Sequence, residues 1–143
     1  MAKPKVLIVD DNALVRRMIA HLLSEMAFTV VEANSAEAAR APLANDNFDV
    51  LLCDDDLGAG LSGSSFIAGE ATLMPPTVVL MSGKPRPNGL LDSTHYLGKP
   101  FTLAQLSAVL PNIKEASIVL DLRTKSGNDT NQRYRSAVSD KRG

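Results

Sequence analysis

The chain has 143 residues, a formal net charge of -1, and 45% hydrophobic against 22% charged residues, a size and balance suited to one folded domain around a single core. This composition excludes a chain disordered throughout, and the near-neutral charge offers no broad basic surface to nucleic acid. The opening MAKPKVLIVDD meets two carboxylates after only a short apolar run, too little for a signal peptide or a membrane span, so a cytoplasmic protein is expected.

KVLIV (5–9) is an apolar run without alternation, the pattern of a strand covered on both faces of a parallel sheet. It leads straight into Asp10 and Asp11. Val15, Met18, Ile19, Leu22 and Met26 then recur at helical spacing, with Arg16, Arg17, Ala20 and Ser24 on the other side, which predicts an amphipathic helix over 12–26. FTVVEA (28–33) reads as a short strand. Ser35 can cap a helix over 36–43, and Pro42 should end or kink its last turn because it removes a backbone donor.

VLLC (50–53) is a second buried strand, which runs into Asp54, Asp55 and Asp56 and then into glycines. Cys53, the single cysteine, has no partner for a disulfide and reads as a small core residue. TVVLM (77–81) is a third buried strand with Ser82 just past it, and HYLG is a short one ahead of Lys99. After Pro100, Thr102 and Gln105 have capping-box spacing ahead of Leu103, Leu106, Val109 and Leu110, so a last helix is expected to end at Pro111. SIVLDLR (117–123) suits an added edge strand or a helix extension, whereas the polar, mildly basic, aperiodic remainder reads as a flexible tail. The expected organisation is therefore a folded domain over 1–111 and an extension over 112–143. His21 and His95 fit no metal or catalytic spacing and read as structural or surface residues.

Strand and helix signals that alternate at this density predict an α/β fold, with a parallel sheet, helices on both faces and right-handed crossovers. The C-terminal ends of parallel strands open on one edge, where ligands bind. Asp10 and Asp11 follow one buried strand and Asp54 another. If those strands are neighbours, the carboxylates converge, and like charges that close call for a shared cation. All-oxygen donors without His or Cys favour Mg2+ over Zn2+. Asp10 and Asp11 also suit a helix N-terminus, which welcomes anions, and the three aspartates at 54–56 also suit a polar turn. Ser82 and Lys99 bring a hydroxyl and a cation to the same edge. Together these groups fit a carboxylate that attacks phosphorus while Mg2+, a lysine and a hydroxyl neutralise the phosphoryl oxygens.

The ordered set LIVDDN, FDVLLCD, VLMSG and YLGKPF resembles a response-regulator receiver domain of two-component signalling, from Lys5 to about Leu110. The resemblance implies a doubly wound, flavodoxin-like sheet of five parallel strands in the order 2-1-3-4-5. It implies Asp54 as phosphoacceptor, Asp11 as direct Mg2+ ligand, Asp10 as its outer-shell partner and the carbonyl of Asp56 as a further ligand. Ser82 and Lys99 would bind phosphoryl oxygens, Ser82 and Tyr96 would form the conformational switch, and the bond before Pro100 would be cis. The implied partners are a sensor histidine kinase or a histidine phosphotransfer protein and an unknown protein target, with no membrane and no nucleic acid. With no output domain recognisable, a stand-alone receiver is expected, a signalling module rather than an enzyme.

Two departures and one further expectation accompany the resemblance. Gly58 stands where the family usually has proline. KPRPNGLLDSTH (84–95) is short and rich in Pro and Gly, so the fourth helix of the family is expected to be short, irregular or missing. Asp56 and Lys84 stand where residues flank the path of attacking water, and are expected to pair across the phosphate. Two other readings compete. DDDLG also resembles the Asp-x-Asp motif of haloacid-dehalogenase-like phosphatases, with Asp54 as nucleophile and Asp56 as acid/base, although the acidic motif required after the lysine is missing. The third is a receiver-like module that binds partners without accepting phosphate.

Overall fold

The computed structural model describes residues 3–111. The expectations for 112–143, including the added strand, lie outside the described residues. Five strands, β1 (Lys5–Val9), β2 (Thr29–Ala33), β3 (Val50–Asp54), β4 (Thr77–Ser82) and β5 (Thr94–Gly98), form one sheet in the order β2-β1-β3-β4-β5. Every pairing is parallel, with Val9 opposite Cys53 and Asp54 opposite Met81. The flavodoxin-like order implied by the resemblance is the one observed.

Successive strand residues point to opposite faces, and the core divides accordingly. Val6, Ile8, Val50, Leu52, Val79, Met81 and Leu97 pack on one face with Ile19 and Leu23 of α1 (Ala13–Glu25), with Met26 at its C-terminal cap, and with Leu106 of α4 (Leu103–Val109). On the other face, Leu7, Val9, Leu51, Cys53, Val78 and Leu80 pack with Ala36, Ala39 and Leu43 of α2 (Ala36–Asn45) and with Phe66 and Ile67 of α3 (Gly63–Gly69). Burial on both faces is why β1, β3 and β4 read as unbroken apolar runs, and each fully buried Leu or Ile contributes about 1.5–3 kcal/mol.

All four α-helices of the described residues start where side-chain caps place them. Asn12 accepts from the Val15 amide at 3.1 Å, Ser35 accepts from the Ala38 amide at 3.0 Å, and Thr102 and Gln105 complete the expected capping box. One expectation, the end of α2, needs correction. Pro42 does not end α2, which continues to Asn45: proline removes one donor in the final turn, and its carbonyl still accepts from the Asp46 amide at 3.0 Å. Between β4 and β5, where the resemblance places a fourth helix, residues 83–93 form no helix at all. Pro85 and Pro87 cannot donate, and Gly83 and Gly89 add conformational freedom that a helix would have to remove.

Candidate functional site

β1 and β3 lie side by side but their connections leave toward opposite faces of the sheet, so a crevice opens above their C-terminal ends. Asp10 stands one residue past β1 and is 1% exposed, while Asp54 ends β3 at 6%. Asp11 is exposed. Carboxylate oxygens of the three lie within 4.8 Å of one another, so the convergence expected from the strand ends is realised.

Each acid has different surroundings. One oxygen of Asp10 accepts from the Asn12 amide at 2.9 Å, while the other, Oδ2, is buried with no hydrogen-bond partner. A buried, unpartnered carboxylate oxygen costs about 1–3 kcal/mol or more, and here it belongs to an all-oxygen cluster of the kind that suits a hard divalent cation. Asp54 Oδ1 accepts from Lys99 Nζ at 3.0 Å. Burial raises the Asp54 carboxyl above the usual carboxylate range, Lys99 opposes this by hydrogen bond and charge, and Asp10 adds to the rise. Burial likewise pushes the Cys53 thiol up, as expected for a core cysteine.

β4 and β5 deliver the remaining groups. Ser82, 5% exposed, accepts at Oγ from the Lys84 amide at 3.0 Å, and its carbonyl accepts from the Lys99 amide at 2.7 Å. That bond holds the end of β4 beside the start of the Lys99 loop, whose Lys99–Pro100 bond is cis, as the resemblance implies. Tyr96 is half-buried and packs on the cluster shared by α2 and α3. Asp56 is exposed and its Oδ1 accepts from the Gly58 amide at 3.3 Å. Its carboxylate is outside the cluster of three. Lys84 is also exposed, and it is not among the cations of the four ion pairs found in the described residues, so the expected Asp56–Lys84 pair is not formed in this structure. His21 and His95 are both exposed, outside the site.

Several supporting residues escaped the sequence reading. Arg16, half-buried on α1, donates from Nη1 to the Asp10 carbonyl and from Nε to Glu32 Oε1, both at 2.8 Å, and so fixes the end of β1. The middle aspartate of the DDD run is structural: Asp55 Oδ1 accepts from the Ser64 amide at 2.9 Å, and its carbonyl accepts from the Gly63 amide at 3.0 Å. A Cβ on Gly63 would come within 2.3 Å of the Asp54 carbonyl oxygen, so only glycine lets α3 approach β3 this closely. Gly58 has φ +77, and a Cβ there would meet Asp11 Oδ2 at 3.2 Å. Spacing alone carries no signal for these contacts, which join residues brought together only by the crossovers.

The fold and this pocket define a signalling domain of the receiver type, and comparison with known proteins agrees. Residues 6–110 match the family model described as the response regulator receiver domain, and the chain belongs to that family. It is 28% identical over 120 residues to a chemotaxis protein CheY of Pseudomonas aeruginosa, covering 78% of this chain and 96% of that protein. It is 30% identical over 121 residues to hybrid signal transduction histidine kinase M of Dictyostelium discoideum, covering 76% of this chain and 5% of that much longer protein. Among solved structures, the chemotaxis response regulator CheY4 of Vibrio cholerae is similar at a TM-score of 0.65 and 25% identity, over 76% of this chain and 99% of that one. The phosphatase reading is not favoured by these matches. Among the described residues, no helix is long and apolar enough to cross a membrane.

Proposed function

We propose that the protein accepts a phosphoryl group on Asp54 and signals by protein contacts that depend on it. The observation that carries this reading is the buried Asp54 carboxylate, held at 3.0 Å by Lys99 and within 4.8 Å of Asp10 and Asp11. The donor is a phosphohistidine on a sensor kinase or a histidine phosphotransfer protein. A carboxylate oxygen of Asp54 attacks phosphorus, so an O–P bond forms as the N–P bond breaks, and the departing imidazole keeps the electron pair and takes up a proton.

Lys99 turns its ammonium from Asp54 to a phosphoryl oxygen, where it offsets charge in a site that water reaches poorly. The Ser82 hydroxyl donates to a second oxygen, and Tyr96 responds by turning inward, a shift between two arrangements set by their different contacts with the phosphoryl group. Asp10, Asp11, Asp54 and the carbonyl of Asp56 are the groups that would hold Mg2+, which when bound neutralises the cluster and the incoming phosphoryl oxygens. The orphaned Asp10 Oδ2 supports that assignment.

Incubation with acetyl phosphate and Mg2+ followed by intact-mass measurement tests the reading. The parent is expected to gain one phosphoryl group and Asp54→Ala none. Turnover of phosphate esters would instead favour a phosphatase, and no uptake a pure binding module.

A further inference from the structure

Residues 83–93 take the place of a helix, and Arg86 ties the end of this loop to the strand that follows. Its Nη1 donates to the Thr94 carbonyl at 3.1 Å and its Nη2 to the Leu91 carbonyl at 3.0 Å. The Leu91 carbonyl also accepts from the Thr94 amide at 2.9 Å. One planar guanidinium therefore closes the loop onto the first residue of β5, a geometry that a lysine, with a single compact ammonium, does not reproduce.

The other end of the same loop is tied to the site. Ser82 Oγ accepts from the Lys84 amide at 3.0 Å, and only Pro85 separates Lys84 from Arg86. Proline fixes φ near -65° and removes a soft torsion between the two tethers. The Lys84 amide bonded to Ser82 and the Arg86 tether are thus joined along the chain through Pro85 alone. Leu90, within the closed loop, packs on the same apolar cluster as Tyr96, and Tyr96 lies two residues past Thr94 on β5.

We propose that Arg86 is a positioning residue for Ser82: its two carbonyl bonds hold the loop that keeps the Ser82 hydroxyl on the Lys84 amide, and phosphoryl transfer to Asp54 loosens them. The inference rests on Asp54 being the phosphoacceptor. When the hydroxyl turns to a phosphoryl oxygen, the Lys84 amide follows or loses its acceptor, and the guanidinium withdraws from Leu91 and Thr94. Linkage makes the effect reciprocal. Weakening the Arg86 bonds favours the arrangement that phosphorylation also favours.

Hydrogen exchange of residues 83–98 and intact mass are to be followed together, with and without acetyl phosphate and Mg2+, for the parent, Arg86→Gln and Arg86→Lys. In the parent, phosphorylation is expected to speed exchange of the Thr94 amide, which donates to the Leu91 carbonyl that Arg86 also holds. Both variants should show that faster exchange without phosphate, with unchanged protection in β1 and β3, and should take up phosphoryl faster than the parent. Equal exchange in the two forms of a fully phosphorylated parent, or variants that match the parent in both readouts, would overturn the positioning role. Loss of protection in β1 and β3 would also overturn it, because Arg86 would then support the whole fold. If the parent takes up no phosphoryl group, the receiver reading itself falls, and the mass measurement separates that outcome from the others.

Discussion

Asp54 carries its charge where water barely reaches it, and the surrounding residues decide whether that charge is tolerable. Lys99 offsets part of the burial cost, whereas Asp10 increases it. The five groups at the strand ends, Asp10, Asp11, Asp54, Ser82 and Lys99, were legible because each follows an apolar run, and parallel strands must open on one edge. Arg16, Asp55 and Gly63 were not, since a carbonyl contact, a cap supplied from nine positions earlier and a close backbone approach leave no periodic trace. The Gly63 contact is testable. Gly63→Ala places a methyl group 2.3 Å from the Asp54 carbonyl oxygen, against backbone that cannot swing aside, and is expected to destabilise the fold by about 1–3 kcal/mol or more in urea unfolding. An unchanged midpoint would mean that α3 can move off β3 freely.

Among the elements, strands were easier to read than helices. β1, β3 and β4 are buried on both faces and announce themselves by hydrophobicity alone. α3 gives no such warning, because GSSFIAG offers only Phe66 and Ile67 to the core and begins and ends in glycine. It forms because Ser62 caps it at the Ser65 amide and Asp55 anchors its first turn, so the site and the helix hold each other. α2 shows the opposite case, a helix that persists against its own proline. Replacing Pro42 with alanine restores a donor in the last turn and relieves the proline ring, at the cost of a freer unfolded chain. Pro42→Ala is expected to raise stability by about 2–3 kcal/mol, the helix gain of about 3 kcal/mol less an entropic offset of up to about 1 kcal/mol. A fall in the urea midpoint would show that the proline itself is needed beside Leu43, which is buried in the core.

At the scale of the molecule, the sheet order makes the site. Reversal of direction between β2-β1 and β3 frees the space above two adjacent strands, and three acids face it. Their mutual repulsion is a cost that a divalent cation held between them would relieve. Mg2+ at about 100 times its Kd would add about 2.7 kcal/mol to stability, on the order of 10 °C in the melting temperature for a domain near 100 residues. Asp11→Asn is expected to fold, because Asp11 is exposed, and to lose most of that rise. A melting curve indifferent to Mg2+ in the parent would leave the acidic cluster without its proposed occupant.

The loop beyond Asp54 carries one more implication. Gly58 holds φ at +77 with Asp11 Oδ2 3.2 Å from where a side chain would begin, whereas proline is confined near -65°. The glycine here and the proline usual at this position in the family therefore belong to different backbone trajectories and are not interchangeable spellings of one turn. Anyone building chimeras from this chain should transplant the 55–60 segment and the β1–α1 turn bearing Asp11 as a single cassette, since either half alone would meet a neighbour shaped for something else.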